Sequence, residues 1–338
     1  MRWYEAVSLS LILGLGACAA KDENDDGRGD HAGSEDAGSS SRDDAASAGR
    51  DSGASDGGGL TASGDAGATQ RDASQADGGA RAEVCDGVDN DGDGIIDNVD
   101  KEKDGVCDCL NIATIGAIGP WSNGGNVFKT WLDARSATPA VELGNQVLTD
   151  ALLRKFQVIV TLYVGERTIT NDGRSAQAYH AFSTDEVAAL GRWVRAGGGL
   201  MTTTGYDDEN SEVTNMNLLL SPLGAGYSTS SKDTQGFVTQ WEAHPITENV
   251  TKIRTENGVQ PNGSAAMTLA RDEGGRIALQ VTQADAGRIA VWGDEWITYD
   301  SEWSDTKDQQ VDRLWLNLLK WLSPAKVCQV DLPPILLQ

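Results

Sequence analysis

The chain has 338 residues, 51 Asp and Glu against 27 Lys and Arg, a formal charge of −24, and 40 glycines. That length allows one large domain or two smaller ones, and the charge argues against sequence-independent nucleic-acid binding, which needs clustered Lys and Arg. No window holds the roughly 18 apolar residues that a permanent membrane-spanning helix requires. The charge is zero over residues 1–18 and −8 in each of 19–82, 83–109 and 110–338. Composition divides the chain into 1–17, 18–82, 83–109, 110–328 and a tail at 329–338.

Arg2 precedes the apolar run Ala6–Ala17, and small residues lead into Cys18. This is the layout of a secretory signal peptide. Leu15-Gly16-Ala17-Cys18 resembles a bacterial lipobox, which implies that Cys18 is acylated, becomes the mature N-terminus and serves as a membrane anchor. Acyl chains hold firmly because each buried methylene contributes about 0.8 kcal/mol. Ala19 stands where an aspartate would imply inner-membrane retention, so the same resemblance implies the outer membrane. Glu5 is unusual in such a leader, and an ordinary signal peptide with an incidental cysteine is the alternative. In residues 19–82, Ala, Gly, Ser and Asp fill 49 of 64 positions and Leu60 is the only large apolar side chain. Such a segment has nothing to bury against its conformational entropy. It reads as a flexible tether with a reach of about 40–50 Å.

Residues 83–109 hold ten carboxylates. A hard cation such as Ca²⁺ takes six to eight oxygens, which EF-hand loops supply from positions 1, 3, 5, 7, 9 and 12 with glycine at 6. Starting at Asp89, those positions are Asp89, Asp91, Asp93, the Ile95 carbonyl, Asp97 and Asp100, with Gly94 at 6 and Ile96 at the usual apolar position 8. A second register begins at Asp100 and continues through Glu102, Asp104, Gly105, the Val106 carbonyl and Asp108 to Asn111. Its fit is poorer at Glu102, and Asn111 also suits the start of a strand. The sharing of Asp100 resembles thrombospondin type-3 repeats, and the Cys85–Asp97 segment resembles the MopE-like metal-binding repeats, with Gly92 where those carry a cysteine. No helical pattern flanks either loop, so Ca²⁺ is expected in loops without EF-hand helices. A solvated acidic linker is the bland alternative. Zinc is disfavoured because Cys85, Cys107 and Cys109 lack a fourth soft ligand at finger spacing.

With Cys18 acylated, Cys85, Cys107, Cys109 and Cys328 remain. An even number in an exported chain suggests disulfides, and four cysteines allow three pairings. The expected pairs are Cys85–Cys107, clasping the loops, and Cys109–Cys328, tying the start of the domain to its end; a Cys107–Cys109 pair is disfavoured, since two cysteines separated by one residue make a strained ring.

From Asn111 to Ser323 short apolar runs alternate with amphipathic stretches. Strands are expected at Ile112–Ile118, Gln157–Val164, Leu200–Thr204, Ile277–Thr282 and Arg288–Trp292. Helices are expected at Val127–Arg135, Val147–Lys155 and Asn215–Leu220, and at Gln310–Leu322 with Val311, Leu314, Trp315, Leu318 and Leu322 as the buried stripe. Ser183-Thr184-Asp185-Glu186 reads as a capping box opening a helix that stops at Gly197–Gly199. The alternation implies an α/β fold whose largely parallel sheet is covered on both faces.

Strands Gln157–Val164 and Leu200–Thr204, the turn His244-Pro245-Ile246-Thr247 and the run Gly287–Asp294 resemble the class I glutamine amidotransferase-like, flavodoxin-like superfamily. That resemblance implies a three-layer sandwich. Its enzymes carry a cysteine nucleophile at a strand-to-helix elbow, where this chain has Thr204-Gly205-Tyr206-Asp207-Asp208 and no cysteine between Cys109 and Cys328. The domain also lacks a Gly-x-Ser-x-Gly elbow, and its only histidines are His180 and His244. His244, just before a proline, reads as a turn residue satisfied by backbone groups.

Ligands of open α/β sheets bind outside the carboxyl ends of the strands. That rim collects Trp121, Ser122, Asn123, Glu166 and Arg167, then Asp207, Asp208 and Glu209, then Asp294, Glu295, Tyr299, Asp300 and Trp303. Asp207, Asp208, Asp294, Glu295, Tyr299, Asp300 and Trp303 are the candidate ligand-binding residues. The expectation is an outer-membrane lipoprotein whose Ca²⁺-binding neck presents a non-catalytic domain to a glycan or protein ligand. The alternative is a cell-wall or polysaccharide hydrolase working through paired rim carboxylates, which stand about 5–9.5 Å apart in such enzymes.

Overall fold

Residues 81–86, 88–116, 124–166, 168–171, 174–176, 178–205, 211–304 and 308–323 are described in the computed structural model. Chain contacts divide the protein into Met1–Arg71 and Asp72–Gln338, and every described residue belongs to the second unit. The leader, Cys18, all but the last two residues of the tether, Cys328, Trp121–Asn123, Arg167 and Asp207–Glu209 lie outside the described residues.

In chain order the elements begin with β1 (Ile112–Ile115), α1 (Asn126–Ala134), β2 (Val141–Glu142), α2 (Asp150–Leu153) and β3 (Val158–Thr161). A small hairpin, β4 (Ile169–Asn171) and β5 (Arg174–Ala176), precedes α3 (Thr184–Arg195), β6 (Gly199–Thr202) and α4 (Ser211–Leu220). There follow β7 (Tyr227–Trp241), β8 (Ile253–Pro261), β9 (Met267–Asp272), β10 (Ile277–Ala284), β11 (Gly287–Trp292), α5 (Asp300–Ser304) and α6 (Val311–Leu322).

Nine strands form one sheet in the order β2-β1-β3-β6-β11-β10-β9-β7-β8. The first five pair in parallel; the last four add on antiparallel. Counted among themselves, the parallel strands run 2-1-3-4-5, the flavodoxin-like order. Fold class is therefore as expected: an α/β, flavodoxin-like three-layer sandwich. The sheet is not largely parallel, however, because an antiparallel arm supplies four of its nine strands.

β1, β3 and β6 are buried at every residue, as strands covered on both faces must be. Side chains alternate between two cores. Ile112, Val158, Val160, Met201, Ala290 and Trp292 face α1 and α6. Ala113, Ile115, Ile159, Leu200, Ile289 and Val291 face α2, α3 and α4. The α6 stripe is as expected, with Val311, Leu314, Trp315, Leu318 and Leu322 all buried; each such side chain contributes roughly 1.5–3 kcal/mol.

The Ser183 hydroxyl accepts the Glu186 N–H and the Glu186 carboxylate accepts the Ser183 N–H, closing the expected capping box. Glu186 does more than cap. Its Oε1 also takes the Leu148 N–H at 3.0 Å and meets His180 Nε2 at 2.7 Å. Those bonds, with its cap, hold its carboxyl down near 2 against the opposing effect of burial. Leu148 thus lies outside the helix, and the helix expected over Val147–Lys155 shrinks to the single turn α2, capped by the extended Thr149. Arg192 grips Asp150 with two bonds, 3.0 and 2.7 Å, joining α3 to α2.

One disulfide joins Cys85 to Cys109, which corrects the expected Cys85–Cys107 and Cys109–Cys328 pairs. Cys109 is fully buried at the start of the domain, so the bridge fastens the acidic segment's first turn to the domain's entrance. Cys107 is disulfide-bonded as well. Among the described residues no helix is long and apolar enough to cross a membrane.

Candidate functional site

Two places gather the predicted residues. The first is the acidic segment, whose two registers fold alike. At position 6, Gly94 and Gly105 have φ of +89° and +79°, a left-handed conformation that costs glycine least. Position 4 is left-handed too, at Gly92 and Lys103. The position-1 carboxylate accepts the glycine N–H in both: Gly94 to Asp89 at 3.0 Å and Gly105 to Asp100 at 2.7 Å. The position-5 carboxylate accepts the position-7 N–H in both: Ile95 to Asp93 at 2.8 Å and Val106 to Asp104 at 2.9 Å. An eleven-residue sequence offset thus reproduces the turn over positions 4–7, although position 9 is left-handed only in the first loop, at Asp97.

The two loops differ in their company. In the first, carboxylate oxygens of Glu83, Asp89 and Asp91 all lie within 4.8 Å of one another. Glu83 was not anticipated; its oxygens accept the Asn90, Asp91 and Asp97 N–H groups. It lies six residues before the template starts, so only the folded turn brings it in. Asp97 is fully buried and accepts the Asp86 N–H at 3.0 Å. In the second loop Asp108 is 2% exposed. Its Oδ2 takes the Lys101 N–H at 2.6 Å while its Oδ1 is buried without a partner. Burial above all, with the Glu102 carboxylate adding to it, pushes Asp108 up to about 6. An orphaned carboxylate oxygen facing a second carboxylate is what a divalent cation would satisfy. The residues present fit Ca²⁺: acids at positions 1, 3, 5 and 9, a carbonyl at 7, and the turn already formed.

The second place is the rim above β6 and β11. β6 runs on through Thr203 and Thr204 to Gly205; α4 then presents Glu212, fully buried, whose Oε2 accepts the Gly205 N–H at 3.2 Å. From β11 the chain continues into Gly293, Asp294 and Glu295. Gly293 is closely packed against β8: a Cβ on Gly258 would fall 1.8 Å from the Gly293 carbonyl oxygen. Asp294 is fully buried, and its two oxygens accept the N–H groups of Glu256 and Trp296. Burial nevertheless holds it well above the usual carboxylate range. Glu295 is also buried and accepts the Tyr299 hydroxyl at 2.5 Å. Burial raises its carboxyl to about 8. Burial, and then Glu295 itself, raise the Tyr299 phenol. Glu295 Oε1 reaches Gly205, where a Cβ would come within 2.2 Å of it. Glu212 and Glu295 thus meet at Gly205, within the stretch expected to form the elbow.

Of the other candidates, Asp300 accepts the Val127 N–H at 2.8 Å and so caps the first turn of α1. Trp303 packs on Phe128 and Trp131 and donates to the Ile297 carbonyl. Glu166 is exposed. His244 is the turn residue expected: its Nδ1 accepts the Ile246 N–H at 3.2 Å. Glu212, like Glu83, was missed, since a glutamate in the first turn of a helix looks like a solvated capping charge.

No protein-family model and no curated protein matches the chain. Among solved structures it is similar to cytoplasmic protein STM3548 from Salmonella typhimurium, at 12% identity and a TM-score of 0.45 over 64% of this chain and 100% of that one. It is similar to a putative ThuA-like protein from Bacteroides uniformis, at 13% and 0.41 over 63% and 91%. It is also similar to the mmIFT52 N-terminal domain, at 14% and 0.47 over 63% and 96%. The class defined by strand order and site is a flavodoxin-like domain with an acidic double loop at its entrance and a buried acidic floor at its rim.

Proposed function

We propose that the protein is an outer-membrane lipoprotein, anchored through Cys18, whose acidic neck binds Ca²⁺ and presents a non-catalytic α/β domain to a glycan or protein ligand. The observation that carries the calcium reading is the repetition of one turn, over positions 4–7, in the registers that start at Asp89 and at Asp100. Bound Ca²⁺ would neutralise carboxylates that otherwise repel one another along the neck. Asp89, Asp91, Asp93, Ile95, Asp97 and Asp100, joined by Glu83, would serve the first ion. Asp100, Glu102, Asp104 and Asp108 would serve the second. The Cys85–Cys109 bridge closes the stretch, so that binding stiffens a segment already tied at both ends.

The anchor is supported by Leu15-Gly16-Ala17-Cys18, and the tether by a composition that cannot form a core. The non-catalytic reading is supported by the missing elbow cysteine and by Asp294, whose carboxylate is spent on two backbone N–H groups. Calorimetric titration of the EDTA-stripped protein with Ca²⁺ tests the neck. Two ions are expected, with a rise in Tm from mass action on the folded state. No heat and no gain in Tm would refute the calcium reading.

A further inference from the structure

α1 is held at each end by a carboxylate. Its first turn rests on Asp300. At its other end Arg135 grips Asp104, with Nε at 3.0 Å and Nη2 at 2.6 Å, both from the same oxygen, Oδ2. Nη1 donates to the Trp131 carbonyl, and the guanidinium lies 4.1 Å from the centre of the Trp131 ring. The side chains of Arg135 and Asp104 are 12% and 16% exposed, so solvent screens the pair only in part.

Asp104 is position 5 of the second loop, and its Oδ1 accepts the Val106 N–H that shapes the turn. Oδ2 is therefore the oxygen left for a cation, and Arg135 already holds it. In the first loop the equivalent residue, Asp93, meets the Asn98 amide with its other oxygen, a neutral group. The second loop also has Lys320 beside it, whose Nζ would lie 2.9 Å from a Cβ on Gly105.

We propose that Arg135 is a built-in competitor for the second cation site. Ca²⁺ reaching Asp100, Glu102, Asp104 and Asp108 displaces the guanidinium from Asp104 Oδ2 and changes its stacking on Trp131. The inference rests on the calcium reading of the neck. It makes the first loop the tighter site and the second the weaker one, filled only when α1 gives up an anchor. Linkage requires the reciprocal: whatever holds Arg135 on Asp104 weakens the ion.

The test is Ca²⁺ titration of the full-length protein by calorimetry and by tryptophan emission, in wild type, Arg135→Gln and Trp131→Phe. Arg135→Gln is expected to tighten the weaker site by about tenfold, within the usual range of coupling between sites, and to leave the tighter site unchanged. Wild-type emission should change as the weaker site fills, and Trp131→Phe should abolish that change. If Arg135→Gln does not fold, Arg135→Lys replaces it; a lysine lacks the fork and is expected to tighten the site by less. A weaker site whose affinity is unchanged or lowered by these substitutions would overturn the competitor role and leave the calcium reading standing. Absence of Ca²⁺ uptake in every variant would overturn the calcium reading itself.

Discussion

Burial holds the Glu295 carboxyl up at about 8 against 4.5 for a free glutamate, so across that interval the native state keeps a proton that the unfolded chain releases. The folded pKa is the higher one, and for an acid that means stability is fully present below about pH 4.5 and is lost as pH rises through about 8. The loss is on the order of a few kcal/mol. Urea midpoints measured at fixed Ca²⁺ should therefore be higher at about pH 5 than at about pH 8.5. Glu295→Gln, which keeps an acceptor for the Tyr299 hydroxyl, should flatten that slope. An undiminished slope would place the proton on Asp294 instead. The sequence pointed to this residue by its company in Gly293–Trp303, an unusual density of acids and indoles. It did not disclose that Asp294 and Glu295 are turned inward, because a carboxylate after a strand ordinarily faces water. Glu212 and Glu83 were illegible for a related reason: each becomes significant only through a backbone N–H that the fold delivers from elsewhere.

Elements with a strong local signal are those the sequence specified. Ser183 and Glu186 form their box as expected because the bonds are made within one turn. Ser183→Ala should cost about 1 kcal/mol, which for a domain of this size lowers Tm by about 2–4 °C. Thermal unfolding by circular dichroism measures it; an unchanged Tm would mean that the Glu186 bonds to Leu148 and His180 hold the helix start by themselves. The same locality explains α6, whose period-3.6 stripe is complete in its own sequence. It fails at Val147–Lys155, where Leu148 is claimed by a carboxylate 38 positions away. It fails again over the antiparallel arm. β7 is rich in Ser, Thr and Gln, and its pairings with β8 and β9 slip register repeatedly, so no clean alternation is left to read. β8 is equally disguised as an edge: the N–H groups of Lys252 and Arg254 are taken by the amide oxygens of Gln310 and Gln309, and that of Glu256 by Asp294. Side chains from the segment after β11 do the work of a tenth strand, a device that protects an edge from further pairing and leaves no trace in β8 itself.

Over the second unit as a whole, the charge of the neck, the disulfide and the domain entrance form one linked system. The Cys85–Cys109 bridge spans 24 positions and encloses the whole first loop and most of the second. A loop of that size, once closed, removes about 3 kcal/mol of chain entropy from the unfolded state. Part of that constraint acts on the carboxylates directly: with the ends fixed, fewer backbone arrangements separate Asp89 from Asp91 or Asp100 from Asp104, and under the calcium reading proposed above a bound cation would have less chain to order. Cys85→Ser with Cys109→Ser should then weaken Ca²⁺ binding by about tenfold, equivalent to roughly 1.4 kcal/mol of lost preorganisation. The same coupling has a kinetic readout on the unaltered protein, because thiolate attack on a bridge depends on access to its sulfurs, which an ion holding the loops closed would restrict. Ca²⁺ should slow reduction of the bridge by dithiothreitol, followed as the rate at which Cys85 and Cys109 become open to alkylation and read by peptide mapping. The rate should return to its cation-free value when EDTA is added. Equal rates with and without Ca²⁺, in a protein shown to bind it, would mean that the bridge and the ion act on the neck independently, and that the loops hold their shape through the Asp89 and Asp100 turns alone.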